Sequence, residues 1–321
     1  MNKRTQLLTW QQQGRIKDID KSLEVTQANI EPKTWFDFIS KNLIILGFVS
    51  LAVGIIFFFA YNWNEMTKMT KFLLVQSLLV VSSGLYTQTN KYSHPSTGLL
   101  VFIALLIGAL FALFGQTYQT GKDPWQLFLL WMLCITPIAV VSRNSILWIM
   151  WLALVNLSLF LYMQIHHLFW GLFSFFEGTT LFYALINAGA ALLFFFVVQI
   201  KDSSKANLAF YAASLGAFFA FTWVSLYAVV GDSYQLICLI VYILWMAVTY
   251  YLFRLKSLDV MLLSAWSLSA IFFIMFVLTR LFENAFNAGT LLFFSIVLIA
   301  MTTFASKWLM QLLKESHGEA S

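Results

Sequence analysis

The chain has 321 residues, of which 60% are hydrophobic, 18% aromatic and only 10% charged. Soluble proteins carry about 25% charged residues, so most of this surface must face lipid. A soluble enzyme core, a nucleic-acid-binding domain and a secreted disulfide scaffold are excluded, and the net charge of +5 needs another explanation. At about 20 residues per spanning helix, ten spans would take roughly 200 residues, close to the apolar share. The expected fold is all-α, a polytopic transmembrane helical bundle of about ten spans.

Residues 1–41 are charged and mixed in sign. Leu7, Leu8 and Trp10 precede Gly14, and Ile16, Ile19 and Leu23 follow it at helical spacing, which predicts a cytosolic amphipathic helix pair. Such a pair either lies on the membrane surface or docks another protein. About 40 polar residues come before the first apolar run and no small-residue cleavage site follows it, so the first span is expected to stay in the mature chain.

The transmembrane bundle is predicted over residues 42–312, followed by a cytosolic tail, 313–321. Spans fall near residues 43–61, 72–87, 97–114, 126–141, 145–164, 179–199, 208–230, 235–253, 258–279 and 287–310. Pro137 is expected to kink the fourth. The runs are continuously apolar and lack the alternation of a membrane barrel. Cys134 and Cys238 fall inside apolar runs, where a thiol simply packs.

With the N-terminus inside, the outer loops hold only Lys68, Lys71, Lys122 and Arg280; the other 15 of the 19 Lys and Arg lie on the inner side. The positive-inside rule then places both termini in the cytoplasm, and this bias accounts for the net charge.

Residues 110–119 read LFALFGQTYQ and residues 226–235 read LYAVVGDSYQ, identical at five of ten positions. Both close an odd-numbered span at the outer face. An offset of four spans predicts parallel repeats, 97–199 and 208–310.

The helix pair around WQQQGRI, the first span running into FAYNW, the segment FGQTYQTGKDPWQLFLLW and the span RNSILWIMWLALVNLSLFLY carry a family resemblance. Over about its first half the chain resembles the predicted bacterial membrane proteins of the domain-of-unknown-function 2157 family. The resemblance implies a bacterial inner-membrane setting and brings no activity with it.

Intramembrane charge marks proton and ion pathways, and the predicted spans have almost none. Gln76, Asn156 and Asn187 are expected to serve as helix-to-helix hydrogen-bond partners. Each outer loop carries one acid: Glu65, Asp123, Glu177, Asp232 and Glu283. Asp123 and Asp232, with Gln116, Tyr118, Gln119, Tyr234 and Gln235, are the candidate binding residues of an outward-facing polar vestibule. A floor of carboxylates, amides and aromatics suits a cation, an amine or sugar hydroxyls, although loop ends also need caps and interfacial Tyr and Trp need no ligand. His166 and His167 stand near Glu177 without a nucleophile in a recognisable setting, so no catalytic residue is assigned. No metal-ligand spacing, phosphate loop or dinucleotide motif is present, and no cofactor is expected.

The expected partners are the lipid bilayer and a protein docked through residues 1–41, with no nucleic acid. The expected function is non-enzymatic, a carrier-like binder or a subunit of a membrane complex. The alternative is a membrane enzyme acting on a lipid-linked substrate at the outer face, with Asp123, Asp232 or His166 as acid or base.

Overall fold

The computed structural model describes residues 32–61, 65–90, 93–118, 123–165, 178–196, 207–230, 235–256, 258–285 and 287–316. Ten long helices follow one another in these residues: α1 (Pro32–Tyr61), α2 (Lys68–Gln88), α3 (His94–Tyr118), α4 (Pro124–Ser142), α5 (Ser145–Ile165), α6 (Gly178–Phe196), α7 (Leu208–Val230), α8 (Gln235–Tyr250), α9 (Val260–Leu281) and α10 (Ala288–Ser316). α8 continues as a π-helix over Tyr251–Lys256, and a 3₁₀ turn, Glu283–Ala285, precedes α10. There is no strand among the described residues. The chain is an all-α polytopic bundle.

Nine of these helices are long and apolar enough to cross a membrane; the apolar part of α6, Thr180–Phe196, is shorter. The expected spans and the helices coincide closely except at the start. α1 begins at Pro32, ten residues before the expected bundle boundary, because proline is well suited to a first helical turn, where its missing N–H costs nothing. Of the expected N-terminal helix pair, residues 1–41, the part up to residue 31 lies outside the described residues and 32–41 belong to α1. α4 runs through Pro137 as one helix.

Two compact units divide the chain, Met1–Leu113 and Phe114–Ser321. The core of the first is built on Ala52 of α1 and on Phe102 and Leu106 of α3, with Phe48, Ile55, Leu78, Leu79 and Leu105 packed around them. Gly98 allows this approach, since a Cβ there would run into the ring of Phe48.

In the second unit α7 is the central helix, packed against α5, α6, α8 and α9. Its sequence explains why. Ala209, Ala213, Ala217 and Ala220 recur at helical spacing and are all buried. In lipid there is no hydrophobic gain from pairing helices, so close approach of backbones over small side chains must supply the packing. Phe218, Phe221, Tyr242, Met246 and Leu262 fill the space around that stripe, and the indole of Trp245 stacks on Phe221 with ring centroids 4.2 Å apart.

α4 and α5 form a tight hairpin. Arg143 closes α4 in the left-handed region (φ 52°, ψ 36°), its N–H donating to the Ala139 carbonyl, while Asn144 Oδ1 accepts from the Ile146 N–H at 2.9 Å and so caps α5. Across the pair, Trp151 Nε1 donates to Thr136 Oγ1 at 3.0 Å.

Candidate functional site

Three groups of buried and partly buried polar side chains join helices of the second unit. The first joins α5 to α6. Asn187 Nδ2 donates to Asn156 Oδ1 at 2.8 Å, and Asn156 Nδ2 returns a bond to Asn187 Oδ1 at 3.3 Å. The same amide nitrogens donate one turn back along their own helices, to the carbonyls of Tyr183 and Leu152. The expectation that Asn156 and Asn187 hold helices together is therefore met by a reciprocal pair. Gln76, named with them, is exposed in the first unit.

The second group ties α7, α8 and α9 through hydroxyls. Ser269 lies 2.6 Å from Thr222 Oγ1 and 3.0 Å from the Tyr242 hydroxyl, all three buried. Thr222 also donates to the Phe218 carbonyl. Ser269→Ala removes both of its partners' shared contact, so it should destabilise by about 0.6 to 1.7 kcal/mol, the range for hydrogen bonds between membrane helices. Thr222→Ala should cost less, because the Thr222 hydroxyl is already bonded within its own helix. Thermal unfolding of the two detergent-solubilised variants checks the ranking; equal losses would refute it.

The third group sits at one end of the bundle. Asp259 caps α9, its Oδ1 accepting from the Leu262 N–H at 3.1 Å, while its Oδ2 accepts from the Tyr211 hydroxyl at 2.8 Å. Beside it, Asn207 accepts from the Phe210 N–H and donates to the Phe194 carbonyl, tying the end of α6 to the start of α7.

Only part of the vestibule predicted from sequence falls within the described residues. Gln116 and Tyr118 are exposed on the last turn of α3, with the Tyr118 ring 4.9 Å from that of Phe114. Asp123 is half-buried at the N-cap position of α4 but makes no side-chain capping bond. Gln235 opens α8. Gln119, Asp232 and Tyr234 lie outside the described residues, as do His166, His167 and Glu177. Of the remaining loop acids, Glu65 is exposed in a turn and Glu283 is exposed in an ion pair with Arg280. Among the described residues no cluster of three or more His, Cys, Asp or Glu side chains could hold a metal ion.

Sequence reasoning missed the Thr222–Ser269–Tyr242 group and the Tyr211–Asp259 bond. Their residue types are common in apolar helices, and only the register between α7 and α9 selects the ones that meet.

Ten apolar helices, alanine-mediated packing and polar side chains hydrogen-bonded from helix to helix define a multi-span helical membrane protein. Residues 8–148 match the model of the DUF2157 family, described as predicted membrane proteins, in agreement with the resemblance carried by the sequence. Neither a curated protein nor a solved structure matches the chain.

Proposed function

We propose that the chain is a non-enzymatic subunit of a membrane complex, set in a bacterial inner membrane with both termini in the cytoplasm. The observation that carries this reading is the use made of the interior polar groups. Asn156 and Asn187 bond to each other, and Ser269 bonds to Thr222 and Tyr242, arrangements suited to holding helices in register. A proton or ion path would need ionisable side chains inside the spans. In this reading the transmembrane part is a stiff platform, and residues 1–41 recruit a cytosolic protein. The bias of Lys and Arg toward the inner side supports that orientation.

One observation favours a second reading, the carrier-like binder with an outward-facing vestibule. Asp123 holds an N-cap position without using its carboxylate as a cap, which leaves that carboxylate for another task. With Gln116, Tyr118, Gln119, Asp232, Tyr234 and Gln235 it would line the vestibule at the two G-x-x-Y-Q segments, whose proposed duplication would pair 97–199 with 208–310.

Complementation of a deletion strain separates the two. A chain lacking residues 1–31 should accumulate in the membrane, fail to complement, and migrate as a smaller species than the full chain on a native gel. Asp123→Asn and Asp232→Asn should complement fully. The reverse pattern, with a functional truncation and inactive Asp variants at normal abundance, would replace the subunit reading by the carrier one.

A further inference from the structure

Two apolar grooves lie side by side on the second unit. One, of about 470 Å³, runs between α8 and α9 along Met246, Ala247, Tyr250 and Phe273; the other, of about 410 Å³, runs between α9 and α10 along Ala300, Met301, Ala305 and Trp308. Trp266 and Ala270 of α9 line both. The grooves exist because alanines stand where larger side chains would close the helix contacts. From Trp266 to Ile274, which lines the first groove, a helix rises about 12 Å. That approaches the depth of one leaflet, half of a hydrocarbon core about 30 Å thick.

The two grooves share an aromatic mouth. The Trp266 ring centroid lies 5.5 Å from that of Tyr250 and 6.2 Å from that of Trp308, and Tyr250 stacks on Trp308 at 6.4 Å. Trp266 Nε1 donates to the Met246 carbonyl at 2.9 Å, which fixes the ridge between the grooves. Clustered Trp and Tyr belong at headgroup level. Tyr250 ends α8, Trp266 lies near the start of α9 and Trp308 near the end of α10, so all three helices bring this end to one side. The same end is basic. Arg254 and Lys256 stand on the π-helix that follows Tyr250, and Lys307 adjoins Trp308; both lysines are exposed. Asp259, an acid at this end, is bonded to Tyr211 and to the α9 backbone.

We propose that the paired grooves bind one anionic diacyl phospholipid, its chains straddling the Trp266 and Ala270 ridge and its phosphate held at the level of Lys256 and Lys307. Two grooves of similar size, divided by a single ridge and opening at one basic, aromatic end, suit a ligand with two apolar tails and one negative head. A boundary lipid held only by its chains would need no such charge.

The test uses the full chain, purified in detergent, stripped of lipid and examined by native mass spectrometry with added phosphatidylglycerol or phosphatidylcholine of identical chains. If each lysine contributes about fivefold, the preference for phosphatidylglycerol should be about 25-fold. Lys256→Gln with Lys307→Gln, both at exposed positions, should abolish that preference while leaving thermal stability unchanged. Ala270→Phe projects a ring toward both grooves and should sharply reduce retention of either lipid. Equal retention of the two lipids would reduce the grooves to ordinary boundary sites and overturn the proposal. So would a preference that survives the double lysine variant. Displacement of phosphatidylglycerol by millimolar inorganic phosphate would also overturn it, by showing an anion site that does not use the chains. Should Ala270→Phe fail to accumulate, the lysine arm alone decides.

Discussion

Gly216→Ala is expected to be among the most damaging single-methyl additions in the second unit. A Cβ at Gly216 would stand 2.7 Å from Asn187 Oδ1 and 3.2 Å from its Cγ. That amide cannot simply swing away. Its oxygen accepts from Asn156, and its nitrogen donates to both Asn156 Oδ1 and the Tyr183 carbonyl. The substitution therefore overpacks the α6–α7 contact, at about 1 to 3 kcal/mol, and strains an interhelical pair worth about 0.6 kcal/mol per bond on average. The apparent Tm of the solubilised protein should fall accordingly. Because the two residues are in contact, their effects should not add. Asn187→Ala alone is destabilising, since it leaves the Asn156 amide short of a partner. Combined with Gly216→Ala it removes the clash, so the double variant should be more stable than Gly216→Ala by itself. Losses that simply sum would show that Gly216 does not act through the Asn187 amide.

The helical fold was legible in the sequence because lipid enforces a simple rule: a backbone in hydrocarbon must satisfy its own hydrogen bonds, so long apolar runs become helices. The same reasoning found Asn156 and Asn187, since an amide in an apolar run needs a partner. It did not find which helices would be neighbours. The alanine stripe of α7 is visible as a pattern at 209, 213, 217 and 220, yet nothing local says that four helices converge on it. Ser269 likewise looks like any small residue until α7, α8 and α9 are set side by side. At the outer loops, reading was limited in another way. Carboxylates, amides and aromatics near Asp123 and Asp232 suit a binding floor, but they equally suit caps and interfacial anchors. For Asp123 the structure removes one of those readings, because its side chain makes no capping bond. The grooves beside Trp266 were hidden for the opposite reason: they are made by small residues on three helices, and no single segment carries them.

Asp259→Ala should produce the second large loss, at the opposite type of contact, where one carboxylate serves two helices. Its Oδ1 caps α9, and loss of an N-cap costs about 1 kcal/mol. Its Oδ2 takes the Tyr211 hydroxyl of α7, and a hydrogen bond to a charged group contributes about 1.5 to 3 kcal/mol. The alanine variant forfeits both, giving an expected loss of about 2 to 4 kcal/mol. Tyr211→Phe forfeits only the second and should lose less. Asp259→Asn keeps a capping oxygen and should be the mildest of the three. The backbone adds a further consequence, because the Asp259 N–H donates to the Phe253 carbonyl within the π-helix at 3.1 Å. Freeing the start of α9 should therefore loosen the turn that carries Lys256, and hydrogen exchange at the amides of Leu262, Leu263 and residue 259 should quicken together in Asp259→Ala but not in Tyr211→Phe. Equal melting temperatures for the alanine and phenylalanine variants would mean that the cap contributes nothing beyond the Tyr211 bond that both variants lose.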